Sequence, residues 1–379
     1  MAFLSPSFCY AIFLQLLLSN IAFGNKCKYT SIISFGDSLA DTGNLKNLVT
    51  IGHTKPSNCM FLPYGETFFH KPTGRCSNGR LIIDFIARGL GLSFIPPYVG
   101  NERSNNNTKL GQGVNYAVAG ATALSSSFHE ARGVNSTTNA SLGVQLQWFK
   151  QSLSSICVTP TDCKRILENS LFLMGEIGGN DYNHELRAGK SLKDNESFIP
   201  LVIQAIIEAI KEVIKVGAKT IVVPGNFPIG CSSSYLTQFK SSDPKLYDKS
   251  GCIIGLNKFA DIHNQLLQTE LQKLRNIYHN VNIVYADYYN AALQLYQSPK
   301  QFGFVNALKA CCGAGGPYNF NPLARCGDPS SSACTHLNKY VSWDGVHLTE
   351  AAYRSIYKSL FQGSYTFPQF STFCGNKTS

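Results

Sequence analysis

The segment SIISFGDSLADTGN, residues 31–44, joins a short apolar run to a serine, Ser38, that follows it after a glycine and an aspartate. The run over 31–35 has the length and the β-branched residues of a buried strand, and Gly36-Asp37 permits a sharp turn. A serine after such a strand is held by a rigid element and exposed at its tip, as a nucleophile must be. A lone Gly-Asp-Ser is more often a helix N-cap or a turn, so a catalytic role depends on partners elsewhere in the chain.

Short β-rich runs alternate with amphipathic helical patterns along the rest of the chain. The pattern predicts strands over 31–35, 114–118, 170–174, 220–223 and 282–286. It predicts helices over 198–216, where Gly217 marks the end, and over 253–278 and 349–360. Strands that alternate with helices of this length form a parallel sheet with both faces covered, and functional groups gather at the carboxyl ends of its strands. We therefore expect an α/β fold.

The first 24 residues differ in kind from the remainder. They contain no charged residue, their centre over 11–18 is apolar except for Gln15, and they end in Ala22-Phe23-Gly24, a pattern that signal peptidase accepts. The apolar run is too short to cross a bilayer comfortably, so an uncleaved membrane anchor is the less favoured interpretation. We predict a signal peptide over 1–24 and a single domain over 25–379. No stable membrane insertion is expected, because no second long apolar segment follows.

Cysteine usage agrees with a secreted protein. The chain has 13 cysteines, and cleavage of the leader removes Cys9 and leaves twelve, enough for six disulfides of open connectivity. No Cys-x-x-Cys pair occurs, which argues against a zinc site, and we expect the adjacent Cys311 and Cys312 to bond to different partners. Five Asn-x-Ser/Thr sequons are candidate glycosylation sites: Asn106, Asn135, Asn139, Asn195 and Asn376.

The formal net charge of +10 is spread along the chain, with no block of five or more Lys and Arg residues. A nucleic-acid-binding protein would concentrate such charge in a stripe with interleaved aromatic residues. We therefore interpret the charge as a mildly basic solvated surface and do not expect nucleic acid as a partner.

Trp343-Asp344-Gly345-Val346-His347, near the other end of the chain, offers the partners that Ser38 requires. A hydroxyl is a poor nucleophile unless a base removes its proton during attack. Asp344 precedes His347 by three residues across a glycine-containing turn, so its carboxylate can reach one imidazole nitrogen and leave the other for the serine. We predict the triad Ser38, His347 and Asp344, with activity that falls below neutral pH as the imidazole becomes protonated. A structural histidine beside an acid is the alternative interpretation.

Two further loops offer donors for the oxyanion of a tetrahedral intermediate. Ala119-Gly120-Ala121 presents a backbone amide that a substrate can approach closely, because Gly120 has no side chain. Gly178-Gly179-Asn180-Asp181 presents the side-chain amide of Asn180 on a turn made by two glycines. With the backbone amide of Ser38, these give three predicted donors. Each loop taken alone is also typical of a tight turn.

Together these segments resemble the plant GDSL esterase/lipase family, a branch of the SGNH hydrolases. The resemblance lies in four blocks that occur in the family's order: Gly36-Asp37-Ser38-Leu39, the run over 113–121, Gly178-Gly179-Asn180-Asp181, and Asp344-Gly345-Val346-His347. Ser38, Gly120, Asn180 and His347 occupy the four name-giving positions. The similarity covers essentially the whole mature chain, and includes Pro63-Tyr64-Gly65, Gly79-Arg80-Leu81, Pro224-Gly225, Pro228-Ile229-Gly230-Cys231 and Cys311-Cys312-Gly313.

The resemblance implies a flavodoxin-like three-layer α/β/α sandwich with a central, mainly parallel sheet, the SGNH hydrolase fold. It also implies that Asp344 orients His347, that His347 deprotonates Ser38, and that water cleaves the resulting acyl-enzyme. No metal or organic cofactor is implied. Arg80 and Asp41 match recurrent family positions and are interpreted as structural. Asp181 ranks below Asp344 as the triad acid, because Asp344 sits beside the histidine.

The function expected from these residues is hydrolysis of a carboxylic ester in a small acylated metabolite, such as an acetyl or phenolic ester. Acyl transfer to an alcohol through the same triad is one alternative, and a lipid-directed lipase is another. A non-catalytic binding or defence protein is less favoured, because the serine, the histidine and the asparagine are all present. Entry into the secretory pathway is compatible with the extracellular space, the cell wall or the vacuole.

Overall fold

A six-stranded sheet forms the centre of the protein. The structure, a computed structural model, describes residues 27–54, 56–100, 111–157 and 159–374. The predicted signal peptide over 1–24 and the candidate glycosylation sites Asn106 and Asn376 lie outside these residues. The strands, in chain order, are β1 (Ser31–Ser34), β2 (Gly113–Asn115), β3 (Ser170–Leu173), β4 (Thr220–Pro224), β5 (Asn282–Ala286), β6 (Cys312–Gly313), β7 (Ser332–Ala333) and β8 (Thr366–Phe367).

The strand order of the central sheet is β2-β1-β3-β4-β5-β8, and β6 pairs with β7 in a separate two-stranded sheet. The first five strands of the central sheet are parallel, and β8 is antiparallel to β5 at the edge. From β1 the chain passes to β2 on one side and later returns to β3 on the other. The carboxyl end of β1 therefore lies at a point where the strand order reverses, which is where open α/β sheets bind their ligands.

Helices cover both faces of this sheet. In the described residues they are α1 (Asn44–Thr50), α2 (Ile82–Gly89), α3 (Ser126–Glu130), α4 (Leu142–Ile156), α5 (Pro160–Glu168), α6 (Gly179–Arg187), α7 (Leu192–Glu196), α8 (Ile199–Val216), α9 (Ser233–Gln238), α10 (Ile254–Ile277), α11 (Tyr288–Gln297) and α12 (Glu350–Tyr357). Helices α4, α8 and α10 pack on one face, and α2, α11 and α12 pack on the other.

The alternation of side chains along each strand produces these two cores. In β1, Ile33 belongs to the core beneath α4 and α8, whereas Ile32 belongs to the core beneath α2 and α12. Phe172 and Leu171 divide between the same two cores in β3. Because both faces of the inner strands are buried, apolar residues follow one another directly in them, as in Ile32-Ile33 and Leu171-Phe172-Leu173, which agrees with a parallel sheet.

The predicted α/β fold with a mainly parallel central sheet is confirmed, and most of the predicted bounds differ only at their ends. The strand predicted over 114–118 is shorter, because the chain after Asn115 leaves the sheet to form the loop of Gly120. The helix predicted over 349–360 ends as an α-helix at Tyr357 and continues as a π-helical turn, Lys358–Gln362. The edge strand β8 was not predicted, because two residues carry too little pattern.

All twelve cysteines of the described residues are paired. The disulfides are Cys27–Cys374, Cys59–Cys76, Cys157–Cys163, Cys231–Cys252, Cys311–Cys334 and Cys312–Cys326. The expected six bonds are present, and the adjacent Cys311 and Cys312 bond to different partners. Among the described residues, no helix has both the length and the apolar character that a membrane crossing requires.

Candidate active site

The loop after β1 presents Ser38 at the carboxyl edge of the sheet. Gln145, buried in α4, binds the backbone of Gly36 at both polar groups: its Oε1 accepts from the Gly36 amide, and its Nε2 donates to the Gly36 carbonyl, each at 2.9 Å. The Asp37 amide donates to the Glu176 carbonyl at 3.0 Å. Ser38 itself is half-buried. The serine is thus carried by a loop whose backbone is anchored to two neighbouring elements.

Two consecutive hydrogen bonds connect Ser38, His347 and Asp344, with His347 in the middle. The Nε2 atom of His347 is 2.9 Å from the Oγ atom of Ser38, and its Nδ1 atom is 2.7 Å from Oδ2 of Asp344. With the proton on Nδ1, the ring donates to Asp344 and accepts from the serine hydroxyl. This is the tautomer in which imidazole can take a proton from the serine.

Four donors converge on the carboxylate of Asp344. The amides of Val346 and His347 donate to Oδ1 at 2.9 and 2.7 Å, and the hydroxyl of Tyr64 donates to Oδ2 at 2.8 Å beside the imidazole. Burial alone would raise the pKa of Asp344, but the charge of His347 and these hydrogen bonds lower it well below its ordinary value. Burial and Asp344 raise the pKa of Tyr64, so its hydroxyl stays protonated and remains a donor.

Gly345 allows the short turn between Asp344 and His347. Its φ of +93° lies in the left-handed region, and a Cβ atom at this position would overlap the ring of Phe320. The Trp343 amide donates to the His347 carbonyl at 2.8 Å and closes the base of the turn. The Asp-Gly-Val-His segment is therefore held in one conformation by backbone geometry and by the packing of Phe320.

The backbone amides of Ser38 and Gly120, both at the site, have no acceptor among the described residues. Gly120 has a φ of +82°, and its carbonyl accepts a 3.2 Å hydrogen bond from Nε2 of His184, which lies on α6. This bond fixes the plane of the peptide group that follows Gly120. Two of the three predicted oxyanion donors are thus free N–H groups beside the serine.

Asn180, the third predicted donor, lies at the start of α6 but already has two acceptors. Its Nδ2 donates to Oδ2 of Asp37 at 2.9 Å and to the Ala121 carbonyl at 3.1 Å. Asn180 lines the same cavity as Ser38 and is itself buried. The structure therefore brings Asn180 to the cavity of Ser38 but directs its side-chain N–H groups at the protein.

The carboxyl group of Asp37, in the loop that carries Ser38, and that of Glu176 hydrogen-bond each other. Burial, together with the negative charge of Asp37, raises the pKa of Glu176 well above its ordinary value. Burial also raises the pKa of Asp37, opposed by the hydrogen bond from Glu176 and by the Leu39 amide. A neutral Glu176 that donates to Asp37 satisfies both groups, because two buried negative charges in contact are unfavourable.

Asp41 and Arg80, interpreted from the sequence as structural, contact other parts of the protein and not the catalytic candidates. Asp41 is fully buried and accepts from the amides of Gly43, Asn44, Leu45 and Ala119, so it ties the loop that carries Ser38 to the loop of Gly120. Arg80 forms a 2.6 Å ion pair with Glu350, the first residue of α12. This pair anchors the helix directly after the His347 loop.

Asp181 is separate from His347 and forms a second buried cluster. Its carboxylate accepts from the amides of Ala123 and Leu124 at 2.7 and 2.9 Å and lies 3.3 Å from Nε2 of His129. His129 also lies 3.4 Å from Glu185. These contacts hold the chain that follows Gly120 against α6, which agrees with the lower rank given to Asp181 as a triad acid.

A cavity of about 590 Å³ opens above the serine. Its wall includes Ser38, Gly120, Asn180 and His347 together with aromatic side chains, among them Tyr64, Phe227, Tyr235 and Phe320. This volume falls in the range of sites that bind small organic molecules, of about 300–1,000 Å³.

One group of potential metal ligands occurs in the described residues, and it does not fit a metal. Donor atoms of Cys59, Cys76 and His347 lie within 4.8 Å of one another. The two cysteines form a disulfide and therefore offer no thiolate, and His347 is already hydrogen-bonded to Asp344 and Ser38. The disulfide instead forms part of the cavity wall.

The candidate glycosylation sites in the described residues differ in exposure. Asn135 and Asn139 are exposed on the loop after α3. Asn195 is fully buried, and its Nδ2, the atom that carries an N-linked glycan, donates to the Ser191 carbonyl at 2.8 Å. This burial argues against a glycan on Asn195 in the folded chain.

Three residues of the site were not singled out from the sequence: Tyr64, Gln145 and Glu176. Tyr64 lies in the Pro63-Tyr64-Gly65 segment that resembles the family, but nothing local links it to Asp344. Gln145 is a polar residue on the buried side of α4, which is a detectable but weak signal. Glu176 precedes the Gly178-Gly179 turn and gives no local sign that it is buried.

Comparison with known proteins extends these observations. Residues 32–360 match the family model described as GDSL-like Lipase/Acylhydrolase. The chain is 51% identical over 365 residues to GDSL esterase/lipase At1g28580 of Arabidopsis thaliana, with 94% of this chain and 91% of that protein covered. It is 52% identical over 363 residues to GDSL esterase/lipase At1g28590 of the same plant, with coverage of 95% and 89%. A solved periplasmic domain of a Salmonella ser. Paratyphi A lipopolysaccharide acetyltransferase matches 91% of this chain and 87% of its own with 14% identity and a TM-score of 0.35, too low to bear on the fold.

Proposed function

Because the chain belongs to the GDSL-like lipase/acylhydrolase family and is thus an ester hydrolase, we propose that Ser38, His347 and Asp344 are its catalytic triad. The observation that carries this proposal is the 2.9 Å separation of His347 Nε2 and Ser38 Oγ, with Asp344 bound to the opposite ring nitrogen at 2.7 Å. The free amides of Ser38 and Gly120 lie in the same cavity wall and supply donors for a developing oxyanion.

In the first half of the reaction, Oγ of Ser38 attacks the ester carbonyl carbon and its proton moves to Nε2 of His347. The carbonyl electrons move to the oxygen, which the amides of Ser38 and Gly120 stabilise. Collapse of this intermediate restores the carbonyl and breaks the bond to the alcohol oxygen, which leaves with the proton from Nε2. The product is an acyl-enzyme on Ser38 and a free alcohol.

In the second half, water occupies the position of the departed alcohol. Nε2 of His347 accepts one of its protons as the water oxygen attacks the acyl carbon. Collapse of the second intermediate breaks the bond to Ser38 Oγ, which regains its proton from Nε2, and the acid is released. The negative charge of Asp344 stabilises the imidazolium in both halves, and its low pKa keeps it ionised throughout.

The proposed substrate class is a small acylated metabolite, such as an acetyl or phenolic ester. The support is a cavity of about 590 Å³ whose wall combines aromatic side chains with a few polar groups. We further propose that residues 25–379 form one secreted domain after removal of residues 1–24. The six disulfides support this compartment, because such bonds persist in oxidising environments. N-terminal sequencing of the protein secreted by plant cells tests the cleavage site.

The decisive experiment is Ser38→Ala with Ser155→Ala as the matched control, since Ser155 is exposed on α4 and outside the cavity. Hydrolysis of 4-nitrophenyl acetate should fall at least about 1000-fold in Ser38→Ala and stay within about twofold in the control. Acid-quenched wild-type enzyme should carry the acetyl group on the peptide that contains Ser38. Undiminished hydrolysis by Ser38→Ala would refute the triad. Product analysis with and without added alcohols separates hydrolysis from acyl transfer through the same acyl-enzyme.

A further inference from the structure

Two arginines in the wall of the cavity, Arg187 and Arg325, have no acidic partner among the described residues. The cavity wall also contains the carboxyl groups of Asp37, Glu176 and Asp344. Asp37 and Glu176 bind each other, and Asp344 binds His347, so none of the three pairs with an arginine. Arg187 and Arg325 are therefore not held in ion pairs by the three acids of the cavity wall.

Arg187 is the last residue of α6, the helix that begins beside Asn180. Its side chain is accessible to the solvent that fills the cavity, yet protein surrounds it closely enough that burial lowers its pKa. The positive charge of Arg325 lowers that pKa further, while Tyr235 and Asp344 oppose the change. Arg187 is thus within electrostatic range of both the second arginine and the triad carboxylate.

Arg325 lies on the loop between β6 and β7, and the Cys312–Cys326 disulfide fixes this loop at the next residue. The nearby carboxylate of Asp328 accepts from the backbone amide of Arg325 at 2.7 Å and from Asn58 at 3.0 Å. No ion pair joins Asp328 to the guanidinium of Arg325 in the described residues. The guanidinium is therefore free for a ligand.

Other arginines of the protein either form ion pairs or lie outside the cavity. Arg75, Arg80 and Arg132 form ion pairs with Asp84, Glu350 and Glu185, and each pair fixes structure. Arg88 and Arg354 are exposed outside the cavity. Two like charges held on one concave wall repel each other, and a bound anion would remove that repulsion.

We propose that Arg187 and Arg325 form an anion subsite in the ester-binding cavity, and that the natural ester carries a carboxylate away from its scissile bond. This inference rests on the proposed function, because it assigns a substrate class to the cavity of Ser38. A guanidinium binds a carboxylate through two parallel N–H donors, which orients the substrate as well as attracting it. The carboxylate belongs either to the acyl part or to the alcohol part of the ester, and matched substrates distinguish the two.

The experiment uses two pairs of esters, each an acid and its neutral methyl ester. In the first pair, 4-nitrophenyl hemiadipate and methyl 4-nitrophenyl adipate, the charge is on the acyl part. In the second, 4-acetoxybenzoate and methyl 4-acetoxybenzoate, it is on the alcohol part. For each pair we define the charge preference as the ratio of kcat/KM for the acid to kcat/KM for its methyl ester, divided by the same ratio for uncatalysed hydrolysis. This ratio cancels any general loss of activity in a variant.

The wild-type protein should show a charge preference of at least about tenfold in one of the two pairs, which identifies the side of the ester that carries the anion. Arg187→Gln and Arg325→Gln should each lower that preference by about tenfold or abolish it, equivalent to about 1.4 kcal/mol per tenfold step. Sodium chloride at about 0.5 M should also reduce it, because the arginines are accessible to solvent. The control Arg88→Gln/Arg354→Gln removes the same charge from the surface and should leave the preference within about twofold.

A wild-type charge preference near one in both pairs would overturn the anion subsite, as would a preference that survives in Arg187→Gln/Arg325→Gln. Either result leaves the triad standing if Ser38→Ala still abolishes hydrolysis of the neutral esters. Conversely, hydrolysis that persists in Ser38→Ala would overturn the proposed function and, with it, this assignment. The two failures are therefore distinguishable in one set of measurements.

Discussion

The side-chain amide of Asn180 donates to the carboxylate of Asp37 at 2.9 Å, across 143 residues of sequence. Its second N–H is directed at the Ala121 carbonyl at 3.1 Å. Both N–H groups are thus bound within the protein, while the amides of Ser38 and Gly120 have no acceptor among the described residues. For Asn180 to stabilise an oxyanion, one of its bonds must be exchanged for the substrate oxygen during attack.

We expect Asn180→Ala to lower kcat for 4-nitrophenyl acetate by about 100-fold or more, with a smaller change in KM, because an oxyanion donor acts mainly in the transition state. Steady-state kinetics and thermal unfolding are measured together. Asn276→Ala, at an exposed position of α10, is the control. If Asn180→Ala loses stability but retains more than about a third of kcat, Asn180 is a structural link to Asp37 and not an oxyanion donor.

We expect the deprotonation of Glu176 to lower the free energy of unfolding as the pH rises. Because burial and Asp37 raise its folded-state pKa above 4.5, the folded chain holds a proton that the unfolded chain releases. The stability that this bound proton contributes is fully present below about pH 4.5 and is lost as the pH rises through the raised folded-state pKa of Glu176. Glu176→Gln keeps a neutral donor toward Asp37 and cannot titrate, so its melting temperature relative to wild type should increase between pH 5 and pH 8.

The control for this measurement is Glu196→Gln, which alters an exposed side chain. Its melting temperature should follow that of the wild type at every pH. A constant difference between Glu176→Gln and wild type from pH 5 to pH 8 would mean that Glu176 has no raised pKa in the folded protein.

We expect Tyr64 to be a positioning residue for Asp344, the proposed triad acid. Tyr64→Phe removes the 2.8 Å donor to Asp344 but retains the ring that packs edge-on against Trp343. Without this donor, more of the carboxylate charge acts on the imidazole and favours its protonated form. We expect kcat to fall about tenfold and the acidic limb of the pH–rate profile to move to higher pH. Tyr278→Phe, outside the cavity, is the control, and a lower rate with an unmoved acidic limb would indicate a structural role only.

We expect His184 to lower the free energy of unfolding as the pH falls. Burial lowers its pKa from 6.5 to about 4, although the hydrogen bond to Gly120 opposes this change. The unfolded chain therefore binds a proton that the folded chain excludes, and stability is lost as the pH falls from about 6.5 to about 4. At pH 5 the loss from this group is about 2 kcal/mol.

His184→Gln retains a donor toward the Gly120 carbonyl and removes the titration. Chemical denaturation at pH 7 and pH 5 should show that the variant loses about 2 kcal/mol less stability than the wild type over this interval. His53→Gln, at an exposed site, should lose as much as the wild type. Parallel losses in His184→Gln and wild type would contradict the lowered pKa.

The parts of the fold with strong local patterns were predicted closely. The helix Ile199–Val216 begins one residue after its expected start, and β5 has its expected bounds, because apolar spacing and Gly217 are visible in any window of the sequence. The short edge strand β8 and the π-helical turn after α12 were not predicted. Both form because the chain end packs against β5 and α11, and such contacts leave no periodic trace.

The residues of the site also divide into those that a local sequence pattern predicts and those that only long-range contacts bring together. Local sequence was enough to predict a serine after a buried strand, an aspartate three residues before a histidine, and two glycine loops between the serine and that aspartate. These features depend on neighbouring residues, whose spacing fixes the local conformation.

The folded chain was needed to show which cysteines pair, that Asn180 bonds to Asp37, that Tyr64 donates to Asp344, and that Arg187 and Arg325 share a cavity wall. These contacts could not be predicted because hydrogen-bond partners and desolvation are set by atoms far apart along the chain. Their free energies arise only when the folded core brings those atoms into contact and excludes water.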